Sequence, residues 1–161
     1  MRALDEHIGS FALGPLIGDM ASAMADVHSR SFDKPWSAGD LRRLAEAPHC
    51  YGIAARCGTE LAGFILIGAA ADESEILTLA VDQPWRQQGI GRALLDAAAT
   101  EAMHRGVTAM LLEVGVLNAA GQALYARAGF QVVGRRRNYY KGSAGYEDAL
   151  VMRLDIVPVL L

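Results

Sequence analysis

The chain has 161 residues, 52% of them hydrophobic and 20% charged. That is enough to bury roughly 70% of the surface its unfolded form exposes, and too apolar for a disordered or collagen-like chain. Fifteen basic against eighteen acidic side chains leave a net charge of −3, which argues against nucleic acid or an anionic membrane as partners.

No stretch reaches the ~18 uninterrupted apolar residues of a membrane span. No repeat, low-complexity tract or linker divides the sequence, so a single domain over 1–161 is expected. Its last residues, 156–161, form a short apolar tail that frays or packs on the core. Met1-Arg2-Ala3-Leu4-Asp5-Glu6-His7 turns acidic at once and has no apolar run behind it, unlike a secretory signal.

Asp19 is placed to cap a helix through about Arg30, with Met20, Met24 and Val27 on one face. Pro35-Trp36 interrupts it, and Ser37 starts a second helix with Leu41 and Leu44 inward, stopped by Pro48. Residues 51–56 and 61–69 then read as strands joined by the turn Cys57-Gly58-Thr59-Glu60. Cys50 and Cys57 are the two cysteines. At ~3.3 Å per residue the strand between them separates their Cα atoms by about 20 Å, beyond the ~7 Å disulfide limit. A reduced, cytoplasmic chain is expected. Further on, 75–81 is a strand, 91–105 a long amphipathic helix ended by Gly106, and 109–114 a strand. Asn118 caps a helix through Ala128, and 131–137 and 147–154 are the last strands. This order predicts an α/β (α+β) mixed sheet with helices on both faces.

The segment Val81-Asp82-Gln83-Pro84-Trp85-Arg86-Gln87-Gln88-Gly89-Ile90-Gly91-Arg92 carries a strand into a polar, glycine-bearing turn that opens directly into a helix. Glycines admit positive φ and let a ligand approach the main chain. The helix adds unpaired N–H groups and the positive end of its dipole. Together these suit a diphosphate. A P-loop would need Gly-Lys-Ser/Thr, which is absent, and a dinucleotide fingerprint would need a small residue where Leu94 stands. An ordinary strand-to-helix connection remains the structural alternative.

Arg86-Gln87-Gln88-Gly89-Ile90-Gly91 resembles the signature of the GNAT superfamily of acetyl-CoA-dependent N-acetyltransferases. The surrounding elements follow that superfamily's order over about residues 19–154. Phe32-Asp33-Lys34-Pro35-Trp36-Ser37, Glu75-Ile76-Leu77-Thr78-Leu79-Ala80-Val81, Leu112-Glu113-Val114, Asn118, Ala123-Leu124-Tyr125, Gly129-Phe130, Arg136-Arg137-Asn138-Tyr139-Tyr140 and Glu147-Asp148-Ala149 look like bacterial ribosomal-protein-alanine N-acetyltransferases of the RimI type. The resemblance implies the GNAT acyl-CoA N-acyltransferase fold, a mixed sheet splayed between its fourth and fifth strands, with the pantetheine arm pairing along the fourth strand's open edge. Two departures stand out: Gln83 separates Asp82 from Pro84, and Gly115-Val116-Leu117 is apolar for a peptide-binding rim.

The same resemblance implies acetyl-CoA as co-substrate, and the N-terminus of an acceptor protein, a small-subunit ribosomal protein, as partner of a monomeric enzyme. It assigns the general base to Glu113 and the general acid to Tyr125. Coenzyme contacts fall to Leu79, Ala80, Val81, Gln87, Gln88, Gly89, Ile90, Gly91, Arg92 and Asn118, the thioester oxyanion facing main-chain N–H groups around 79–81. Trp36, Tyr139 and Tyr140 would wall the acceptor. The chemistry is compatible: an α-amine of pKa about 8 is roughly a tenth neutral at pH 7, and a phenol of pKa about 10 can protonate a thiolate of similar basicity. A small-amine acetyltransferase and a non-catalytic acetyl-CoA-binding module remain the alternatives. Arg135-Arg136-Arg137 alternates faces along a strand, so the three cannot share one target. His7, His28, His49 and His104 lack metal-ligand spacing and are expected at surface or incidental positions, with no metal site.

Overall fold

A computed structural model describes residues 10–142 and 145–157. Among these described residues seven strands form one mixed sheet in the order β1-β2-β3-β4-β5-β7-β6. They are β1 (Ala12–Pro15), β2 (Cys50–Cys57), β3 (Glu60–Ala70), β4 (Glu73–Val81), β5 (Ala109–Gly115), β6 (Gln131–Gly142) and β7 (Gly145–Asp155). Helices α1 (Ala21–Ser31) and α2 (Ala38–Glu46) cover one face, while α3 (Ile90–His104) and α4 (Ala119–Arg127) lie on the other. The mixed sheet with helices on both faces is thus borne out. Covering both faces explains the unbroken burial from Ala62 to Ile67 in central β3. Among the described residues no helix is long and apolar enough to cross a membrane.

Two caps form where local chemistry dictates: Ser37 Oγ accepts from Asp40 N–H at 3.1 Å, and Asn118 Oδ1 from Gly121 N–H at 2.9 Å. Asp19 does not cap α1. It sits in a short 3-10 turn, Gly18–Met20, that feeds directly into the helix, leaving Met20 as N-cap without a side-chain bond; the Asp19 carboxylate lies 3.6 Å from Arg42 instead. Strand β1 was not expected, because four residues containing Gly14 and Pro15 carry no alternation to read. Cys50 and Cys57 are free thiols at opposite ends of β2. At the C-terminus Ile156 packs on the core and donates its N–H to Thr108 at 2.8 Å. The expected N-terminal character at 1–7 and the rest of the tail, 158–161, fall outside the described residues.

Strands β4 and β5 run parallel but pair only from Glu73↔Ala109 to Glu75↔Leu111. Beyond that β5 turns to β7 and β4 to β3, so Ile76 to Val81 keep one free edge. The split coincides with a bulge: Ile67 opposes Ile76 and Leu66 opposes Thr78, leaving Leu77 unmatched. Leu77 and Thr78 therefore both face α1 and α2, whereas Ile76, Leu79 and Val81 pack toward α3. An extra residue in one strand bends it away from its neighbour.

His28 corrects the expectation of incidental histidines. It is 2% exposed, its Nδ1 accepts the Trp36 main-chain N–H at 3.1 Å, and its Nε2 therefore carries the proton and faces Thr78 Oγ1 at 3.2 Å. Burial lowers its pKa to about 4 from an ordinary 6.5. Between those values the unfolded chain binds the proton and the folded chain does not, so stability falls as pH drops through this window. The sign makes a prediction. On going from pH 7 to pH 4 this residue should cost about 3 kcal/mol, and urea unfolding of His28→Gln should lose correspondingly less on acidification than the parent.

Candidate active site

The turn after β4 is fastened to α1. Asp82, 5% exposed, caps Gln83 N–H at 3.1 Å and receives both Nε and Nη2 of Arg30 at 2.9 Å. The Arg30 hydrogen bonds hold its carboxyl below the ordinary carboxylate range. Arg86 donates to Val81 O at 2.8 Å and to Ser31 Oγ at 3.3 Å. Gln87 and Gly89 then adopt φ of +62° and +86°, a conformation that glycine takes without strain and glutamine does not. From Gln87 to Arg92 no main-chain N–H donates to a main-chain carbonyl, so a row of donors stands at the N-terminus of α3.

The two glycines serve different ends. Gly89 provides backbone freedom. Gly91 provides space: a Cβ there would lie 3.1 Å from Leu124 Cδ2 and 3.9 Å from Val81 Cγ2, so its absence lets α4 rest on the first turn of α3. Two side chains along the turn are engaged locally. Gln88 donates to Pro84 O at 3.3 Å, and Arg92 to Asp96 at 2.9 Å and to Arg127 O at 3.0 Å. The main chain and the exposed Gln87 side chain are what the turn offers to a ligand.

Along β4 the parity of hydrogen bonding decides which groups are free. Asp82 N–H donates to Ala62 O across on β3. Successive residues point to opposite edges, so Ala80 also faces β3, while Leu79 and Val81 present N–H and C=O to the open edge. Of these, Val81 O is taken by Arg86. Leu79 and Val81 are accordingly the donors available to an oxyanion, and Ala80 supplies none.

Across the split, a cleft of about 530 Å³ opens between β4 and β5 on the α2 side, lined by Glu75, Leu77, Leu111 and Glu113 among others. The Glu113 carboxylate is 15% exposed and ion-paired with Arg136 Nη1. Tyr140 donates its hydroxyl to Glu113 O at 3.2 Å, and burial pushes that phenol up to about 12. Tyr139 packs edge-on against Tyr140 at 4.9 Å, with hydrogen bonding toward Glu113, then burial, raising its pKa. Tyr125, on α4 beside Leu124, packs edge-on against Phe130 at 5.9 Å; burial first, and Tyr140 second, push it to about 12. Its hydroxyl therefore stays protonated at any physiological pH.

The arginine run resolves into separate partners, as strand alternation requires: Arg135 pairs with Asp148 at 2.7 Å, Arg136 with Glu113, and Arg137 is exposed. Asp148 also accepts Asn138 N–H at 2.8 Å, bracing a β6 irregularity between Arg136 and Tyr140 where Asn138 has φ +52°. Trp36 stacks on His28 at 5.1 Å and packs beside the core under β4 rather than standing alone as a wall. Its neighbour Phe32 is the more exposed ring. Sequence reasoning missed Arg30, His28, Thr78 and Asp148. The one signal was helical: His28 lies four residues after Met24, on the buried face of α1.

A mixed sheet opened between two parallel strands, with a donor-lined turn at the mouth of the opening, is the architecture of an acetyltransferase. The chain belongs to the acetyltransferase (GNAT) family, whose model matches residues 21–130. It is 42% identical over 97 residues to the [ribosomal protein bS18]-alanine N-acetyltransferase of Escherichia coli (strain K12), an alignment covering 60% of this chain and 66% of that protein. It is 36% identical over 149 residues to the N-alpha-acetyltransferase RimI of Mycobacterium tuberculosis, covering 89% and 91% of the two. The crystal structure of the ribosomal-protein-S18-alanine N-acetyltransferase from Escherichia coli superposes with a TM-score of 0.86 at 31% identity, over 93% of this chain and 96% of that one.

Proposed function

We propose that this chain moves acetyl from acetyl-CoA to the N-terminal α-amine of a protein, with the N-terminal alanine of a small-subunit ribosomal protein as acceptor, acting as a cytoplasmic monomer. One observation carries the reading: past its short pairing with β5 the edge of β4 is free up to a turn whose N–H groups from Gln87 to Arg92 are unengaged, and Glu113 lines the cleft between the two strands. The names of the relatives above support the acceptor class.

The turn's residues fit the coenzyme's diphosphate, since left-handed Gly89 and the first turn of α3 aim donors outward without a side chain intervening. Asn118, spent on its cap, lends the coenzyme at most its remaining amide hydrogens. Leu79 and Val81 N–H groups meet the thioester oxygen as charge builds on it. Glu113, directly or through a water, takes the proton of the bound ammonium and so frees the nitrogen to attack. Tyr125 gives a proton to the departing sulfur. Tyr139 and Tyr140 flank the acceptor's main chain.

The test is incubation with acetyl-CoA and a panel of N-terminal peptides alongside free polyamines, read by mass spectrometry. Alanine-initiated peptides should gain one acetyl group and polyamines none. A polyamine reading draws on one feature: Glu75 lines the same cleft and makes no ion pair among the described residues. Acetylated polyamine with unmodified peptides would establish it instead.

A further inference from the structure

The carboxylate proposed as base already has a cation on it. Arg136 reaches Glu113 from β6, and its guanidinium also lies over the Tyr139 ring, 4.7 Å from the centroid. Its main chain is held in place, because Asp148 grips Arg135 on one side and Asn138 N–H on the other. Its side chain is 54% exposed and therefore free to swing. An acceptor α-amine arrives largely as an ammonium at neutral pH, and the group it must approach is that same Glu113.

We infer that Arg136 is the resident cation of the acceptor-amine subsite and is exchanged for the incoming ammonium. The inference rests on Glu113 being the base. One cation replaces another at the carboxylate, so no net charge is buried, and the displaced guanidinium retains the Tyr139 face as a resting place. After transfer the acceptor carries a neutral amide, which cannot compete for the carboxylate. Arg136 then re-forms the pair and displaces the product. The device selects for acceptors that bring a cation to Glu113 and disfavours rebinding of those already acetylated.

The prediction runs opposite to that for a residue that merely holds the site together. Arg136→Gln should lower the acceptor KM two- to fivefold, the range expected on removing one exposed competing ion pair. Arg136→Lys, which keeps a cation, should stay near the parent. Calorimetry with an alanine-initiated peptide and its N-acetylated twin supplies a readout independent of turnover: Arg136→Gln should tighten only the free-amine peptide. In a Glu113→Gln background the same change should have no effect on binding. An unchanged or raised KM in Arg136→Gln, with the parent still acetylating peptide, overturns the exchange and leaves the proposed function standing. A parent that acetylates no peptide removes both.

Discussion

Glu113→Gln is expected to lower kcat/KM for peptide acetylation about 100-fold at pH 6.5, within the range for losing a general base, and by much less at pH 9. The gradient follows from the acceptor. At pH 6.5 only a few per cent of an α-amine of pKa about 8 is neutral, whereas at pH 9 most of it is. A base matters while there is a proton to remove. The substitution is close to isosteric, and the carboxylate's only ion-pair partner among the described residues is the exposed Arg136. Folding should accordingly change little, and unfolding curves check this. A pH–rate series over both acid and alkaline arms decides the matter. Equal loss at every pH would make Glu113 a binding or packing residue, and no loss anywhere would remove it from the chemistry.

The pairing of Glu113 with Arg136 shows where sequence reading stops. Glu113 at the end of β5 was legible, since a carboxylate closing an apolar strand stands out. Its partner was not, because contact across 23 positions depends on β5 pairing with β7, on β7 pairing with β6, and on an irregularity that re-aims Arg136. Ser37 and Asn118 were readable because a cap involves residues three apart. The β4 bulge was invisible for another reason. In Glu73–Val81 an apolar run suits burial on both faces, so the shift of parity at Leu77 leaves no trace in hydrophobicity. Yet that shift coincides with the opening of the sheet and sets Thr78 over His28. The glycines of the turn were legible as a pair but not in their division of labour, since Gly91 answers to Leu124 on a helix still distant in sequence.

Tyr125→Phe is expected to slow turnover about 100-fold, the scale of a lost general acid, while acetyl-CoA affinity stays within about threefold because the lost hydroxyl serves the leaving sulfur rather than the bound ground state. Taken alone, a pKa raised to about 12 hinders proton donation, since a free thiol ionises near 8.5. The discrepancy narrows once the origin of the shift is considered. Desolvation is its first cause, and a thiolate released beside the same ring is penalised by the same exclusion of water. Donor and acceptor shift in the same direction, which narrows the mismatch. Two consequences can be measured. The parent's kcat should show no alkaline decline attributable to the phenol between pH 8 and pH 10, because a group titrating near 12 is still protonated there. The phenylalanine variant should also recover rate with acyl donors whose leaving group is less basic, since those depart without a proton. Coenzyme binding lost in step with turnover would instead assign Tyr125 to packing against Phe130.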